Sequence, residues 1–347
     1  MDLTNFEEFK KLDSMGVMEA LNLFPEQIKT TWSQAMSSNI PVISCDSVVI
    51  TGMGGSSNAA KIIQGLYEED LKIPFTIHND YGLPAWVGAN TLVIANSYSG
   101  NTEETLSGIE AAKASGAKIL GIATGGKIGG MIESGQIHGV IIDPKNVNPP
   151  NFPKTGLGIS LGGLLGALVK SGVLNLNEED LFASLNELED IRDSWDAVEM
   201  SKWLHGFLPV LFGGRPLIGA LNAGRNAMCE ISRNYTQFYD FPEMNHVLVE
   251  ATKMPEAAKN NRYLFFESKF NHERVTLRYS VTKKVLEEQG LFYKSYPLKG
   301  KNKLTQALEL PHYAAWIGFY LSMLDGVDPG PEPWILKLKD ELSQPLH

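Results

Sequence analysis

Five short apolar runs alternate with segments of helical pattern between residues 46 and 142, and this alternation limits the fold more than any other feature. The runs are residues 46–51, 75–78, 90–95, 118–123 and 139–142. They are mostly apolar and show no regular polar alternation, as strands are when both faces of their sheet are covered. Strands that alternate with helices indicate a parallel sheet between two helical layers. We therefore predict an α/β fold for the first half of the chain.

The rest of the chain repeats this pattern less regularly. Candidate strands occupy residues 208–212, 216–219, 262–266 and 291–293, and candidate helices occupy residues 224–235, 275–289 and 307–324. Residues 1–39 have a helical pattern, with Trp32 as their anchor in the core. The stretch 144–153 is rich in Pro and Asn, which favours a linker. We predict two α/β domains, residues 1–153 and residues 154–347.

Charge and composition exclude several classes of protein. The formal net charge of the 347 residues is −10 at pH 7, which disfavours a nucleic-acid surface because such domains tend to be basic. The longest uncharged apolar run, residues 157–169, is too short to cross a bilayer and predicts a buried helix. The two cysteines, Cys45 and Cys229, are too few for a disulfide framework or a cysteine metal site. We expect a soluble, cytoplasmic protein that binds neither nucleic acid nor membrane.

Three hydroxyl residues crowd the turn that follows the third run. The turn contains Ser97, Ser99 and Thr102, with Gly100 among them. Ligands of open parallel sheets bind beyond the carboxyl ends of the strands, and the free N–H groups of a helix N-terminus bind phosphate. The alternative is a turn that only caps its helix, but one Ser or Thr is enough for a cap. We favour an anion site, with Asn101 and Glu104 in a capping box.

The turn after the first run supports two interpretations. It reads GMGGSSNAA over residues 52–60, close to the GxGxxG fingerprint of dinucleotide-binding folds, but Ser57 stands where the third glycine would be. Asp80 follows the second run, where a ribose-binding acid would lie. An NAD-dependent oxidoreductase is therefore an open alternative. The hydroxyls of Ser56 and Ser57 suit a sugar or a phosphate at least as well.

The two turns together resemble the sugar isomerase (SIS) domain, a phosphosugar-binding α/β fold. The resemblance rests on GMGGSS at residues 52–57 and on SYSGNTEET at residues 97–105. It implies two tandem SIS domains, each a flavodoxin-like parallel sheet flanked by helices. It also implies a phosphate site formed by Ser97, Ser99 and Thr102. An adjoining sugar site would be formed by Gly54, Gly55 and Ser56.

Two later segments narrow the resemblance to bifunctional phosphoglucose/phosphomannose isomerases. They are FPEMNHVLVE, residues 241–250, and GVDPGPEPWILKLKDEL, residues 326–342. The resemblance implies that the chain interconverts glucose 6-phosphate and mannose 6-phosphate with fructose 6-phosphate through a cis-enediol. We expect no cofactor and no metal, because no third or fourth ligand lies at a suitable spacing from His246 and Glu250. The resemblance also implies a homodimer in which His246, on a loop, reaches the active site of the neighbouring subunit. It implies further that Glu230 is the base and that Lys339 lies near the negative charge of the intermediate. Lys154 would bind the substrate where the family has an arginine.

Aldose–ketose isomerisation requires the kinds of residue that this resemblance implies. A proton moves between C1 and C2, so a base must lie over that bond, and glutamate suits this when burial raises its pKa. Positive charge near the enediolate would come from Lys339. The enediol also accounts for two products, since glucose and mannose 6-phosphates differ only at C2, which is planar in the intermediate.

Several alternatives stay open. Without the resemblance, Glu230 reads as a surface acid on a helix, paired with Arg225 or Arg233. The Arg/Lys pair that is usual before this glutamate in the resembling family is missing here. A non-catalytic phosphosugar regulator, or an isomerase of another phosphosugar, is therefore the alternative function.

Overall fold

The computed structural model describes residue 3 and residues 6–342, which contain fourteen α-helices and nine β-strands. Three helices come first: α1 (Phe6–Leu12), α2 (Val17–Asn22) and α3 (Phe24–Ser37). The first α/β unit follows, with β1 (Ser47–Thr51), α4 (Gly54–Tyr67), β2 (Phe75–His78), β3 (Thr91–Asn96), α5 (Glu103–Ala114), β4 (Lys118–Ala123), α6 (Gly126–Glu133) and β5 (His138–Ile141). The five strands predicted for this half are confirmed to within one residue at either end.

Three helices connect this unit to a second one. They are α7 (Leu157–Lys170), α8 (Glu178–Arg192) and α9 (Ala197–Leu204). The second unit contains β6 (Leu208–Gly214), α10 (Ile218–Ser232), β7 (Gln237–Phe241), α11 (Met244–Val247), β8 (Asn261–Glu267), α12 (Glu273–Glu288), β9 (Phe292–Pro297), α13 (Lys303–Asp325) and α14 (Pro333–Leu342).

The first sheet has five parallel strands in the order β2-β1-β3-β4-β5, which is the flavodoxin-like order. Every residue of β3 is buried. Val48 and Ile50 of β1 pack in one hydrophobic cluster, whereas Val49 packs in another with Ala112 of α5. Helices therefore cover both faces of the sheet, which explains the continuous apolar runs. The predicted fold class is confirmed in this half.

The second sheet has four parallel strands in the order β7-β6-β8-β9, the same order without a fifth strand. The predicted strand at residues 216–219 is wrong, because the chain turns there and α10 begins at Ile218. Strand β7, an edge strand that is mostly half-buried, was not predicted from the sequence. Its polar Gln237 and Asp240 hid the pattern of a buried strand.

The buried helix predicted for residues 157–169 is confirmed as α7, which packs closely along α3. A Cβ at Gly162 would lie 2.3 Å from the carbonyl oxygen of Ile28, and one at Gly166 would lie 2.6 Å from the Cβ of Ala35. Glycine at this i, i+4 spacing lets the two backbones approach each other. Trp32 of α3 is buried, as predicted. Within the described residues, none of the helices is both long and apolar enough to span a bilayer.

The Pro- and Asn-rich stretch 144–153 is not a free linker. Val147 and Asn148 are buried, and the Gln27 Nε2 of α3 donates to the carbonyl oxygens of Val147, at 3.0 Å, and Thr155, at 2.9 Å. The stretch predicted as a linker is therefore packed against α3. The boundary between residues 153 and 154 stays a prediction.

Candidate active site

The hydroxyl-rich turn and the glycine turn meet where ligands of this fold bind. In the order β2-β1-β3-β4-β5, strands β1 and β3 are neighbours whose following helices diverge, and this switch point opens a crevice at their carboxyl ends. The turn after β1 leads into α4, and the turn after β3 leads into α5. The two turns recognised in the sequence therefore face the same crevice.

The turn after β3 is held in shape by its own hydroxyl groups. The Ser97 Oγ lies 2.8 Å from the Thr102 Oγ1 and accepts a hydrogen bond from the backbone N–H of Gly100 at 3.1 Å. The Ser99 Oγ accepts from the N–H of Asn101 at 3.2 Å. Gly100 has φ +69°, and a Cβ there would lie 1.9 Å from the carbonyl oxygen of Gly125. Only glycine fits this tight turn.

The N-terminus of α5 is open toward the crevice. Thr102 is the N-cap residue, and no side chain caps the helix. The predicted capping box of Asn101 and Glu104 is wrong, because the Asn101 Oδ1 accepts instead from the N–H of Lys127 at 3.0 Å. The first N–H groups of the helix thus keep the capacity to bind an anion.

Ser56 joins the glycine turn to the hydroxyl turn. Its buried Oγ accepts from the N–H of Tyr98 at 3.2 Å, and its carbonyl oxygen accepts from the Asn96 Nδ2 at 3.0 Å. Gly54 begins α4 with φ +53°. Six of the seven residues predicted to bind the substrate, all except Lys154, therefore form one cluster: Gly54, Gly55, Ser56, Ser97, Ser99 and Thr102.

A cavity adjoins this cluster, and its empty space of about 530 Å³ includes space open to solvent. Gly55, Lys154 and Glu230 all line it, so the structure brings together three of the residues that the sequence analysis selected. Other parts of its wall come from α2, α3, α10 and α13, including the apolar side chains of Leu21, Phe24, Ala227 and Ile231. The cavity therefore lies between elements of both halves of the chain.

Glu230, in the last turns of α10, is an acid that lines the cavity and has a raised pKa. Burial raises the pKa of its carboxyl group to about 7, and the nearby charge of Glu332 also raises it, against the opposing charges of Lys154, Arg225 and Lys339. Neither arginine that could pair with this acid on a surface does so. The Arg233 Nη2 donates to backbone carbonyl oxygens, and the Arg225 Nη2 donates to Asn222.

Lys154 lies in the cavity rather than in the cluster of hydroxyl groups. Its side chain is 2% exposed, its Nζ donates to the carbonyl oxygen of Pro329 at 2.7 Å, and it lies 3.7 Å from the Glu332 Oε1. Burial lowers the pKa of Lys154, although Glu332 and Glu230 oppose this. The structure thus ties the segment after residue 153 to the C-terminal segment beside Glu230.

Glu332 is a residue of this site that the sequence analysis missed. It stands between Pro331 and Pro333, and the Arg233 Nη2 donates to the carbonyl oxygen of Pro331 at 2.8 Å. Burial raises its pKa, whereas Lys154 and Lys339 lower it. The sequence did contain a signal for Glu332, since it is an acid between two prolines in a segment that resembles the isomerase family. Its contact with Lys154 could not be predicted, because that contact depends on the fold.

Lys339 is exposed on α14, near enough to affect the ionisation of both Glu230 and Glu332. His246 is exposed on α11 and does not line the cavity. The prediction that His246 lies on a loop is wrong, because Pro242 and Glu243 accept from the N–H groups of Asn245 and His246 at the start of a short helix. Within one described chain, His246 is thus the predicted site residue that stands apart.

The fold and the crevice define a phosphosugar-binding α/β protein with two SIS domains, and comparisons with protein families agree. Residues 42–127 match the model of the SIS domain, and residues 194–342 match the model of the bacterial phospho-glucose isomerase C-terminal SIS domain. The fold is similar to that of glucosamine-6-phosphate deaminase from Thermotoga maritima, at 17% identity and a TM-score of 0.65, covering 92% of this chain and 97% of that one. It is also similar to that of a glucose-6-phosphate isomerase like protein from Thermus thermophilus, at 18% identity and a TM-score of 0.59, covering 97% and 98%.

Curated relatives identify the family more closely. The chain is 30% identical over 342 residues to the bifunctional phosphoglucose/phosphomannose isomerase of Caldicellulosiruptor bescii, covering 94% of this chain and 99% of the relative. It is 32% identical to the enzyme of the same name from Aquifex aeolicus, covering 86% and 90%. The chain belongs to the family of bifunctional phosphoglucose/phosphomannose isomerases.

Proposed function

We propose that the protein interconverts glucose 6-phosphate and mannose 6-phosphate with fructose 6-phosphate by proton transfer through a cis-enediol. The observation that carries the proposal is Glu230, an acid whose pKa is raised to about 7 in a cavity beside the hydroxyl cluster. A carboxylate that ionises near neutral pH is suited to take a proton from carbon and return it. Membership in the isomerase family supports the reaction class.

The substrate phosphate binds at Ser97, Ser99 and Thr102. Their hydroxyl groups can turn toward an anion, and the uncapped N-terminus of α5 adds backbone N–H donors and the positive end of the helix dipole. Gly54, Gly55 and Ser56 then line the path from the phosphate to the cavity. This arrangement holds the sugar by its distal end and leaves C1 and C2 for the groups in the cavity.

Glu230 removes the proton from one of the two carbons and delivers it to the other. Lys154 and Lys339 supply positive charge toward the oxygens of the enediolate. The Glu332 Oε1 lies 3.7 Å from the Lys154 Nζ, and its charge favours the protonated lysine against the effect of burial. C2 is planar in the enediol, and rotation about the C2–C3 bond presents either face of C2 to Glu230. The proton can therefore return to either face and give either aldose.

His246 acts from the partner subunit of a homodimer, where it moves protons at the ring oxygen. Its exposure on α11, apart from the cavity of its own chain, agrees with this role. Histidine is suited to the step because it exchanges protons near neutral pH. We also propose that the protein works in the cytoplasm, because its two cysteines, Cys45 and Cys229, are both free.

Supplying fructose 6-phosphate to the purified protein, without added metal, tests the proposed function. We expect both glucose 6-phosphate and mannose 6-phosphate to form, each detected by its own coupled assay. Binding of fructose 6-phosphate without either product would instead indicate a phosphosugar regulator or an isomerase of another phosphosugar. The absence of the Arg/Lys pair before Glu230 is what makes this second outcome worth measuring.

The pH dependence of kcat/KM gives a second prediction. Glu230 must be ionised to act as a base, so we expect kcat/KM to rise with pH and to level off above about pH 7, the raised pKa of this carboxyl. Lys339→Met removes a charge that lowers this pKa, so the rise of kcat/KM in this variant should occur at higher pH. Lys337→Met, two residues away on α14, is the matched control and should leave this rise unchanged. If the rise of kcat/KM with pH is the same in Lys339→Met as in the wild type, the assignment of Glu230 as the base is contradicted.

A further inference from the structure

A chain of polar side chains joins α10 to α4 beside the cavity. The Arg225 Nη2 donates to the Asn222 Oδ1 at 3.1 Å, and the Asn222 Nδ2 donates to the Asn58 Oδ1 at 2.7 Å. The Asn226 Nδ2 donates to the same Asn58 oxygen at 3.0 Å. Asn58 is 5% exposed and lines the cavity that Glu230 also lines. These hydrogen bonds therefore connect the guanidinium group of Arg225 to the wall of the candidate active site.

Arg225 determines the direction of these hydrogen bonds. A guanidinium group has donors and no acceptor, so the atom of Asn222 that faces it must be the amide oxygen. The amide nitrogen of Asn222 then faces Asn58, and only the oxygen of Asn58 can accept from it. Since this oxygen already accepts from both Asn222 and Asn226, the NH₂ group of Asn58 is the free end of the chain.

This NH₂ group faces open space rather than protein. Within residues 6–342, the Asn58 Nδ2 has no acceptor, yet it is not one of the fully enclosed polar atoms that lack a partner. Because Asn58 lines the cavity and is otherwise buried, the open space that its Nδ2 meets is the cavity itself. A buried polar group normally finds a partner, and a bound ligand would supply one.

Close packing of α4 against α10 fixes the distance between these residues. A Cβ at Gly219 would lie 2.0 Å from the carbonyl oxygen of Lys61, and a Cβ at Gly65 would lie 2.8 Å from that of Pro216. Side chains at the two glycines would push the helices apart. The ring of Phe238, 5.5 Å from the guanidinium, gives Arg225 a further contact. The donor is therefore held in place before any substrate arrives.

We propose that Asn58 donates a hydrogen bond to the substrate oxygen on C1 or C2, and that Arg225 orients and polarises this donor through Asn222. The inference rests on the proposed isomerase function. These two oxygens gain negative charge as the enediolate forms. Hydrogen bonds in a chain strengthen one another, so a cation at one end makes the N–H at the other end a better donor. Donors fixed in advance toward developing charge stabilise the transition state. Asn58 is thus a catalytic residue and Arg225 a positioning residue.

Asn58→Asp removes the donor with little disturbance of the fold, because the carboxylate still accepts from Asn222 and Asn226. We expect kcat for fructose 6-phosphate to fall about 10²-fold, the effect of losing one preorganised donor. KM should change by less than about threefold, because the lost bond forms mainly in the transition state. Asn58→Leu removes the same donor without adding a charge, and it should show the same pattern in kcat and KM.

Arg225→Lys and Arg225→Met test the direction of the chain. Lysine is also a donor without an acceptor, so Arg225→Lys should keep kcat within about threefold of the wild type. Arg225→Met leaves the amide groups of Asn222 and Asn58 free to rotate by 180°, and it should lower kcat about tenfold. Lys61→Met is the matched control, since burial and the charge of Arg225 lower the pKa of Lys61, which places it next to Arg225 but outside the chain of amides. This control should leave kcat unchanged.

Two results would overturn the inference while leaving the proposed function in place. One is wild-type turnover by Asn58→Asp and Asn58→Leu, and the other is an equal loss of kcat in Arg225→Met and Lys61→Met. A wild-type protein that binds fructose 6-phosphate but makes neither aldose would overturn the proposed function, and this inference with it. Melting temperatures of all variants, measured alongside, show whether a loss of kcat reflects loss of the fold.

Discussion

Replacing Glu230 with glutamine should lower kcat about 10²–10⁴-fold, the range that a positioned general base contributes. Glutamine has nearly the shape of glutamate but cannot take a proton at neutral pH. Since the side chain lies in a mostly apolar cavity where burial raises the pKa of the acid, the neutral amide should be well tolerated by the fold. Steady-state kinetics with fructose 6-phosphate measures the effect.

The affinity of Glu230→Gln for fructose 6-phosphate is the control for this prediction. Calorimetry should give a dissociation constant close to that of the wild type, because the phosphate cluster is untouched. Glu230→Asp retains the carboxylate but withdraws it by one methylene, so it should keep more activity than the glutamine variant. Near-normal turnover by Glu230→Gln would show that the base is another group.

Replacing His246 with alanine should also lower kcat by about 10²-fold or more, because it removes an acid–base group. The more informative result comes from mixing this variant with Glu230→Gln. If His246 acts across the dimer, a mixed dimer has one complete site of its two. Half of the dimers in an equal mixture are mixed, so the mixture should regain about a quarter of wild-type activity.

An inactive mixture would contradict the assignment of His246 to the partner's site, provided that the two variants exchange subunits. Exchange can be followed with a size tag on one variant. His138→Ala is the matched control, because His138 is exposed on β5 of the first sheet, away from α11. It should keep wild-type activity on its own.

Much of the fold was predictable because its signals are local. The five strands of the first sheet are continuous apolar runs, and each was recognised from its own residues. Gly100 and the hydroxyls of Ser97 and Thr102 likewise form a turn whose contacts lie within a few residues. Edge strand β7 was missed because its polar residues, Gln237 and Asp240, break the apolar pattern.

The electrostatics of the candidate site could not be predicted from the sequence in the same way. Glu230 has its raised pKa because burial and Glu332 act together, and Glu332 is about one hundred residues further along the chain. The chain of hydrogen bonds from Arg225 through Asn222 to Asn58 joins α10 to α4, which belong to different halves of the sequence. A pattern of neighbouring residues carries no information about such contacts, which depend on how α4, α10 and the C-terminal segment pack.

Isomerisation of fructose 6-phosphate in deuterated water, followed by NMR, tests the central claim most directly. The claim is that one protein makes both aldoses by proton transfer through a shared enediol. It predicts that glucose 6-phosphate and mannose 6-phosphate both form and that both carry deuterium at C2, because the proton held by Glu230 exchanges with solvent during turnover. Failure to form both aldoses, or products in which C2 carries only protium transferred from C1 of the substrate, would contradict the account.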